Sequence, residues 1–190
     1  MKKTILSVRF IVCIFFLLPY SFTMANEEAS YDVVHKTDIY EVRYYSDRLI
    51  VQVTNKGDNN SFRKLFKYIS GQNENSEKIA MTIPVTQRQE NGEMFMQFYL
   101  PSKFNKDTTP IPTNPELEVT TVPGGYFAVL KFSGRSSDKN FEKHNEILKQ
   151  KLFEDNISIK GSVIRATYNS PFTLPPLRRN ESMFSIDWKN

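Results

Sequence analysis

The sequence predicts an α+β fold made of two ββαββ modules related by a pseudo-twofold axis, with one helix in each. Three observations predict it. The apolar period switches from two to about 3.6 between Tyr40 and Ile69. The dipeptide Asn91-Gly92, whose residues tolerate positive φ, separates two apolar runs and predicts a hairpin. The first strand pair then recurs with an offset of 77 residues.

The elements follow in order. Tyr40, Val42 and Tyr44 alternate with Glu41 and Arg43, and Leu49 to Val53 is a second extended run after the turn-forming Ser46-Asp47. From Ser61 the pattern becomes helical: Phe62, Leu65, Phe66 and Ile69 fall at i, i+3, i+4 and i+7, after the capping-type run Asp58 to Ser61 and before Gly71. Runs from Ile79 to Thr86 and Met94 to Leu100 complete the first module. Pro110, Pro112 and Pro115 make residues 101–115 an exposed connection, because proline cannot donate to a ladder or continue a helix.

The second module repeats the plan. Leu117-Glu118-Val119 echoes Tyr40-Glu41-Val42, Pro123-Gly124-Gly125 replaces Ser46-Asp47, and Tyr126 to Leu130 stands where Leu49 to Val53 stood. A helix from Asp138 to Phe153 follows, then a strand near Ser162 to Tyr168, a proline-rich loop, and Met183 to Ile186. The modules span about residues 31–100 and 116–188. Neither buries its half-apolar surfaces alone, so packing together gives one domain over residues 26–190 with a cleft where helix meets sheet.

Residues 1–25 form a separate object. Lys2, Lys3 and Arg9 precede the apolar run Phe10 to Leu18 and the small-residue site Thr23-Met24-Ala25, the order of a cleaved secretory signal peptide. The run is about half of the roughly 20 residues a spanning helix needs, so no stable membrane insertion is expected after cleavage. The mature chain then starts at Asn26 and is exported, to a periplasm or out of the cell.

Cys13, the only cysteine, leaves with the leader, which excludes disulfides, thiol chemistry and cysteine metal sites from the remainder. The net charge of +4 falls to +1 once the three leader cations are set aside. With no dense Lys/Arg stripe, nucleic acid is not an expected partner.

Chemical candidates are few. His35 and His144 have no paired ligand at metal-site spacing, so no metal site is expected. Ser61-Phe62-Arg63-Lys64 matches S-x-x-K, a pattern short enough to occur by chance, and Phe62 and Leu65 already account for that helix as a packing element. No catalytic constellation stands out, and the chain is read as a non-enzyme. The aromatic load of 13% is mostly core; a rim of aromatics, Met81, Met94 or Met96 and a few cations would nonetheless suit a flat apolar ring with carboxylate arms.

Five segments then occur in a telling order: Tyr40 to Tyr45, Lys64 to Gly71, Lys78 to Val85, Tyr168-Asn169-Ser170-Pro171, and Arg178 to Glu181. Together they resemble the SOUL haem-binding family over nearly the whole chain from Tyr40 to Ile186. The resemblance implies a duplicated α+β unit around a distorted antiparallel β-barrel flanked by two helices. It also implies non-covalent binding of haem or another porphyrin in an apolar groove between the first helix and the loop at Tyr168. Carried over position by position, it points to Phe62, Phe66, Lys67 and Tyr168, with Arg178 as a propionate partner. Some members place a histidine proposed as axial ligand where this chain has Tyr44, and tyrosinate can ligate ferric haem. The resulting expectation is an exported carrier or buffer of haem or a related tetrapyrrole. Two alternatives stay open: a cleft for another amphipathic small molecule, and a module whose proline-rich loops at 101–115 and 171–176 dock an envelope protein.

Overall fold

The computed structural model describes residues 26–55 and 60–189. Residues 1–25, expected above to be a leader, and part of the capping run before the first helix lie outside the described residues. The elements run β1 (Glu27–Glu28), β2 (Asp32–Lys36), β3 (Glu41–Tyr45), β4 (Arg48–Asn55), α1 (Asn60–Ile69), β5 (Thr82–Ile83), β6 (Val85–Glu90) and β7 (Glu93–Tyr99). They continue with β8 (Leu117–Val122), β9 (Gly125–Phe132), α2 (Asp138–Glu154), β10 (Ser158–Ile159), β11 (Ile164–Thr167), the short 3-10 turn Pro175–Leu177, and β12 (Asn180–Asp187). The fold is α+β: two helices against one curled antiparallel sheet.

The sheet order is β2-β3-β9-β12-β11-β6-β7-β4-β8, with β10 added to β12 and a separate β1-β5 pair. Exchanging β3 with β8, β4 with β9, β6 with β11 and β7 with β12 reverses the order from β3 to β8 without changing it. The pairing is therefore a palindrome whose centre is the antiparallel β6-β11 ladder. The strand pairs expected from the sequence do not form within each module: β3 pairs with β9 and β4 with β8, so each two-strand unit is exchanged with the other. The β3-β4 and β8-β9 turns meet as a result, and the Gly124 N–H donates to Asp47 Oδ1 at 2.8 Å. Only glycine fits there, since a Cβ on Gly124 would lie 2.5 Å from the Tyr45 carbonyl oxygen.

Side-chain alternation divides the sheet into two faces. On the outer face α1 packs Leu65, Tyr68 and Ile69 against Val51, Val53 and Phe98. There too α2 packs Phe141, Leu148 and Leu152 against Val42, Ala128, Leu130 and Phe184. The inner face, enclosed by the curl, buries Tyr45, Phe127, Val129, Ala166, Tyr168 and Met183. It also holds charge. Arg43 is 3% exposed and Glu181 fully buried, and their side chains are joined at 3.0 and 3.2 Å.

The structure differs from the sequence reading in several places. The run Ile79 to Thr86 is not one strand: Pro84 lacks an N–H to donate to a ladder, and β5 and β6 lie on either side of it. Tyr44 does not join Tyr40 and Val42 in the core but stays 42% exposed beside Tyr126. The 101–115 connection carries no helix or strand, yet it is pinned to α1, with the Tyr68 hydroxyl donating to the Pro110 carbonyl at 2.8 Å.

Candidate functional site: an apolar cleft between the helices

Between α1 and the start of α2, above the central ladder, lies a cleft of about 930 Å³. That volume is near the upper end of the roughly 300–1,000 Å³ range of small-molecule sites. Period-two geometry builds its floor. Val85 pairs with Thr167 and Gln87 with Arg165, so these four side chains share the outer face. Thr86 and Ala166 between them turn to the inner face and are fully buried. Met96 lies beside Gln87 in register and extends the floor.

Helical spacing builds one wall. Phe62 and Phe66, one turn apart on α1, lie side by side at 6.1 Å between centroids and 12° between planes. They are 45% and 49% exposed although Leu65 on the same helix is fully buried. Met81 and Ile83 adjoin them. The opposite wall is Ser136, Ser137, Asp138 and Phe141 at the start of α2, and the loop Tyr168 to Phe172 with Arg178 closes one end. Phe172 stands 95% exposed at the rim. Asn26, the first described residue, also lines the cleft.

Two guanidinium groups belong to the lining, and both are held. Arg165 pairs with Asp138 at 2.5 Å and lies 5.5 Å from the Phe141 ring centroid. Arg178 donates through Nε to the Thr173 carbonyl at 2.7 Å and through Nη2 to the Pro171 carbonyl at 2.5 Å, fixing the loop that carries Phe172.

Tyr168 links the cleft to the buried charge below it. Its hydroxyl donates to Glu181 at 2.6 Å, and Arg179 lies 3.7 Å from its ring centroid. Burial, and then the negative charge of Glu181, push the Tyr168 phenol well above its ordinary range. It is a neutral hydrogen-bond donor at physiological pH, and tyrosinate ligation from this position is disfavoured. Burial works against the charge of Arg43, but the Glu181 carboxylate outweighs it and the Arg43 pKa is raised.

Phe62, Phe66, Tyr168 and Arg178, expected from the sequence, thus share one cleft. Lys67 does not join them: it lies with Arg63 and Lys64 along a separate hollow of about 270 Å³ on another side of α1. Tyr44 is not among the residues lining the cleft either. Sequence reasoning did not single out Arg165, Gln87 or Asp138. The usable signal was the alternation Arg165-Ala166-Thr167, which places Arg165 and Thr167 on one face.

Histidine is absent from the described lining. His144 stacks on Phe132 at 3.9 Å with Nδ1 2.7 Å from the Asn140 carbonyl oxygen, and His35 lies against Trp188. Among the described residues no group of three or more His, Cys, Asp or Glu is placed to hold a metal ion, and no helix is long and apolar enough to cross a membrane.

A family model described as "SOUL heme-binding protein" matches residues 26–185. The chain belongs to the SOUL heme-binding family. It is 30% identical over 161 residues to Heme-binding protein 2 of Homo sapiens, a match covering 77% of each chain. The corresponding protein of Mus musculus is 28% identical over 177 residues, covering 86% of this chain and 85% of the relative. Among solved structures, the EcmrR C-terminal domain superposes with a TM-score of 0.57 at 10% identity, covering 83% of this SOUL chain and 98% of that one. That likeness concerns the fold alone.

Proposed function

We propose that this SOUL protein is a non-enzymatic, exported carrier or buffer that binds haem or a related tetrapyrrole non-covalently in the cleft between α1 and α2. Membership of a haem-binding family supports the ligand class. The observation that carries the choice of site is the half-exposed pair Phe62 and Phe66 facing a 930 Å³ apolar cleft. Leaving two phenylalanines half in water forgoes on the order of 1 kcal/mol each, a loss that a bound apolar ring recovers.

The lining fits such a ligand. The near-parallel rings of Phe62 and Phe66 offer a wall for a flat macrocycle, and thioethers at Met81 and Met96 adapt to its edge. Arg165 and Arg178 are the guanidinium groups of the described lining; Arg165 is paired with Asp138 and Arg178 gives two of its donors to loop carbonyls, so carboxylate arms meet only their remaining N–H groups. Haem, when bound, would supply a redox-active iron; the chain's own residues hold the ring and keep water from it. Catalysis is not part of this reading, since neither histidine lines the cleft beside Ser136, Ser137 or Ser170.

Titration of the chain starting at Asn26 with haemin, followed by the Soret band, tests the proposal. Saturable binding is expected, weakened about tenfold or more by Phe62→Ala with Phe66→Ala, which removes on the order of 1.5 kcal/mol or more of ring contact. Lys67→Ala is expected to leave it unchanged. Absence of a saturable shift would overturn the reading.

A second reading shares the site. With no imidazole or thiolate among the described lining residues, recognition rests on shape and apolar area, and a different amphipathic small molecule would meet the same surfaces. Native mass spectrometry of freshly purified protein separates the two by the mass retained.

A further inference from the structure

We propose that the amino terminus released by leader removal is itself a ligand-binding group of the cleft, an α-ammonium placed to pair with a carboxylate of the bound ligand. The proposal rests on the carrier reading above and on cleavage after Ala25.

Its position is the argument. Asn26 lines the same cleft as Arg165 and Arg178. It is also tied there, because the next two residues are β1, paired in parallel with β5 through Glu27 opposite Thr82 and Glu28 opposite Ile83. The Glu28 carboxylate accepts from Arg179 at 2.8 and 3.0 Å, and Glu27 Oε1 accepts from the Ser102 N–H at 2.7 Å. One residue of backbone spans about 3.5 Å, so the terminal nitrogen cannot stray far from that anchored strand.

Its chemistry supplies what the lining lacks. Arg165 is already compensated by Asp138, and Arg178 spends two donors on loop carbonyls. In the unprocessed chain the nitrogen of Asn26 is an amide, uncharged and with a single N–H. After cleavage it is an ammonium with three donors, ionised at neutral pH by its ordinary pKa of about 8. Processing therefore adds one positive charge to the lining, and the class of ligand favoured is a flat apolar molecule with at least one carboxylate. Full affinity then arises only after the leader has been removed.

Three forms test this: the chain starting at Asn26, the same chain acetylated on its α-amine, and the chain with one alanine added ahead of Asn26. Each is titrated with haemin and with haemin dimethyl ester, which keeps the ring and lacks the free carboxylates. Acetylation is expected to weaken haemin about tenfold, as loss of one charge-assisted hydrogen bond does, and to leave the ester within about twofold. The added alanine is expected to fall between the two. Equal haemin affinity for the free and acetylated forms overturns the proposal, as does an equal loss for acid and ester. In either case a loss on Phe62→Ala with Phe66→Ala keeps the carrier reading in force. Haemin bound by none of the forms overturns both.

Discussion

Leu65 and Phe66 are adjacent on α1 and have opposite duties. Leu65 is fully buried against the sheet, whereas Phe66 leans on Phe62 and stays half exposed. Leu65→Ala is therefore expected to cost about 2–5 kcal/mol of stability, as cavity-forming core changes do. Phe66→Ala is expected to cost under about 1 kcal/mol, with its effect appearing in ligand binding instead. Urea unfolding of both variants checks the contrast, and equal losses would mean that Phe66 is core. This division was only half legible. The spacing of Phe62, Leu65, Phe66 and Ile69 announces one wide apolar stripe, and nothing local says that its two edges face different surroundings. Arg43 was illegible for another reason: in sequence it reads as an outward polar residue of an alternating strand. What compensates its burial is Glu181, distant in sequence but on β12, with only β9 between that strand and β3.

Elements are held by one contact of that long-range kind and by local bonds around it. The Tyr68 hydroxyl of α1 pins the 101–115 connection at the Pro110 carbonyl, and the Asn73 side chain donates to the Tyr68 and Glu77 carbonyls at 3.2 and 2.8 Å. Tyr68→Phe keeps the ring in the core and removes the pin. It is expected to lower stability by about 1 kcal/mol, somewhat more if the carbonyl stays dry, and to hasten proteolytic nicking between Asn105 and Pro110. A limited-digestion time course reads the second effect, and an unchanged cleavage rate would show that the connection is held by other contacts. Both helices, the Asn91-Gly92 hairpin and the recurrence of two strands before each helix were legible, since each rests on local periodicity or turn chemistry; their partners were not, because β3 pairs with β9 and β4 with β8 across the repeat rather than with each other. β1 and β10 were not read as strands, β5 was merged with β6 in the run Ile79 to Thr86, and β2 was legible only as the extended segment Tyr31 to His35. β1, β5 and β10 are two residues long, too short to show a period, and β2 is exposed along its whole length, with no apolar face to mark it.

At the scale of the molecule, buried phenols set the alkaline limit. Burial raises Tyr45 to about 12, with the nearby Arg43 pulling the other way, and burial followed by the charge of Glu77 raises Tyr68 to about 12. Each group holds its proton more tightly when folded than in the unfolded chain, where it titrates near its ordinary 10.0. The stability they contribute is therefore complete below about pH 10 and is lost as pH climbs from there toward 12. Thermal midpoints are expected to be insensitive to these groups up to pH 10 and to fall steeply beyond it. Full tyrosinate absorbance at pH 10.5 with the fold intact would contradict this.

The place of β12 has a consequence for how the chain comes into being. The final strand does not finish an edge; it wedges between β9 and β11, in the interior of the sheet. Until residues 180–187 are available, β2, β3 and β9 have no strand joining them to β11 and the central ladder, so the sheet cannot close progressively from the first half of the chain. A fold whose two halves are joined through residues 180–187 remains open until those residues have emerged.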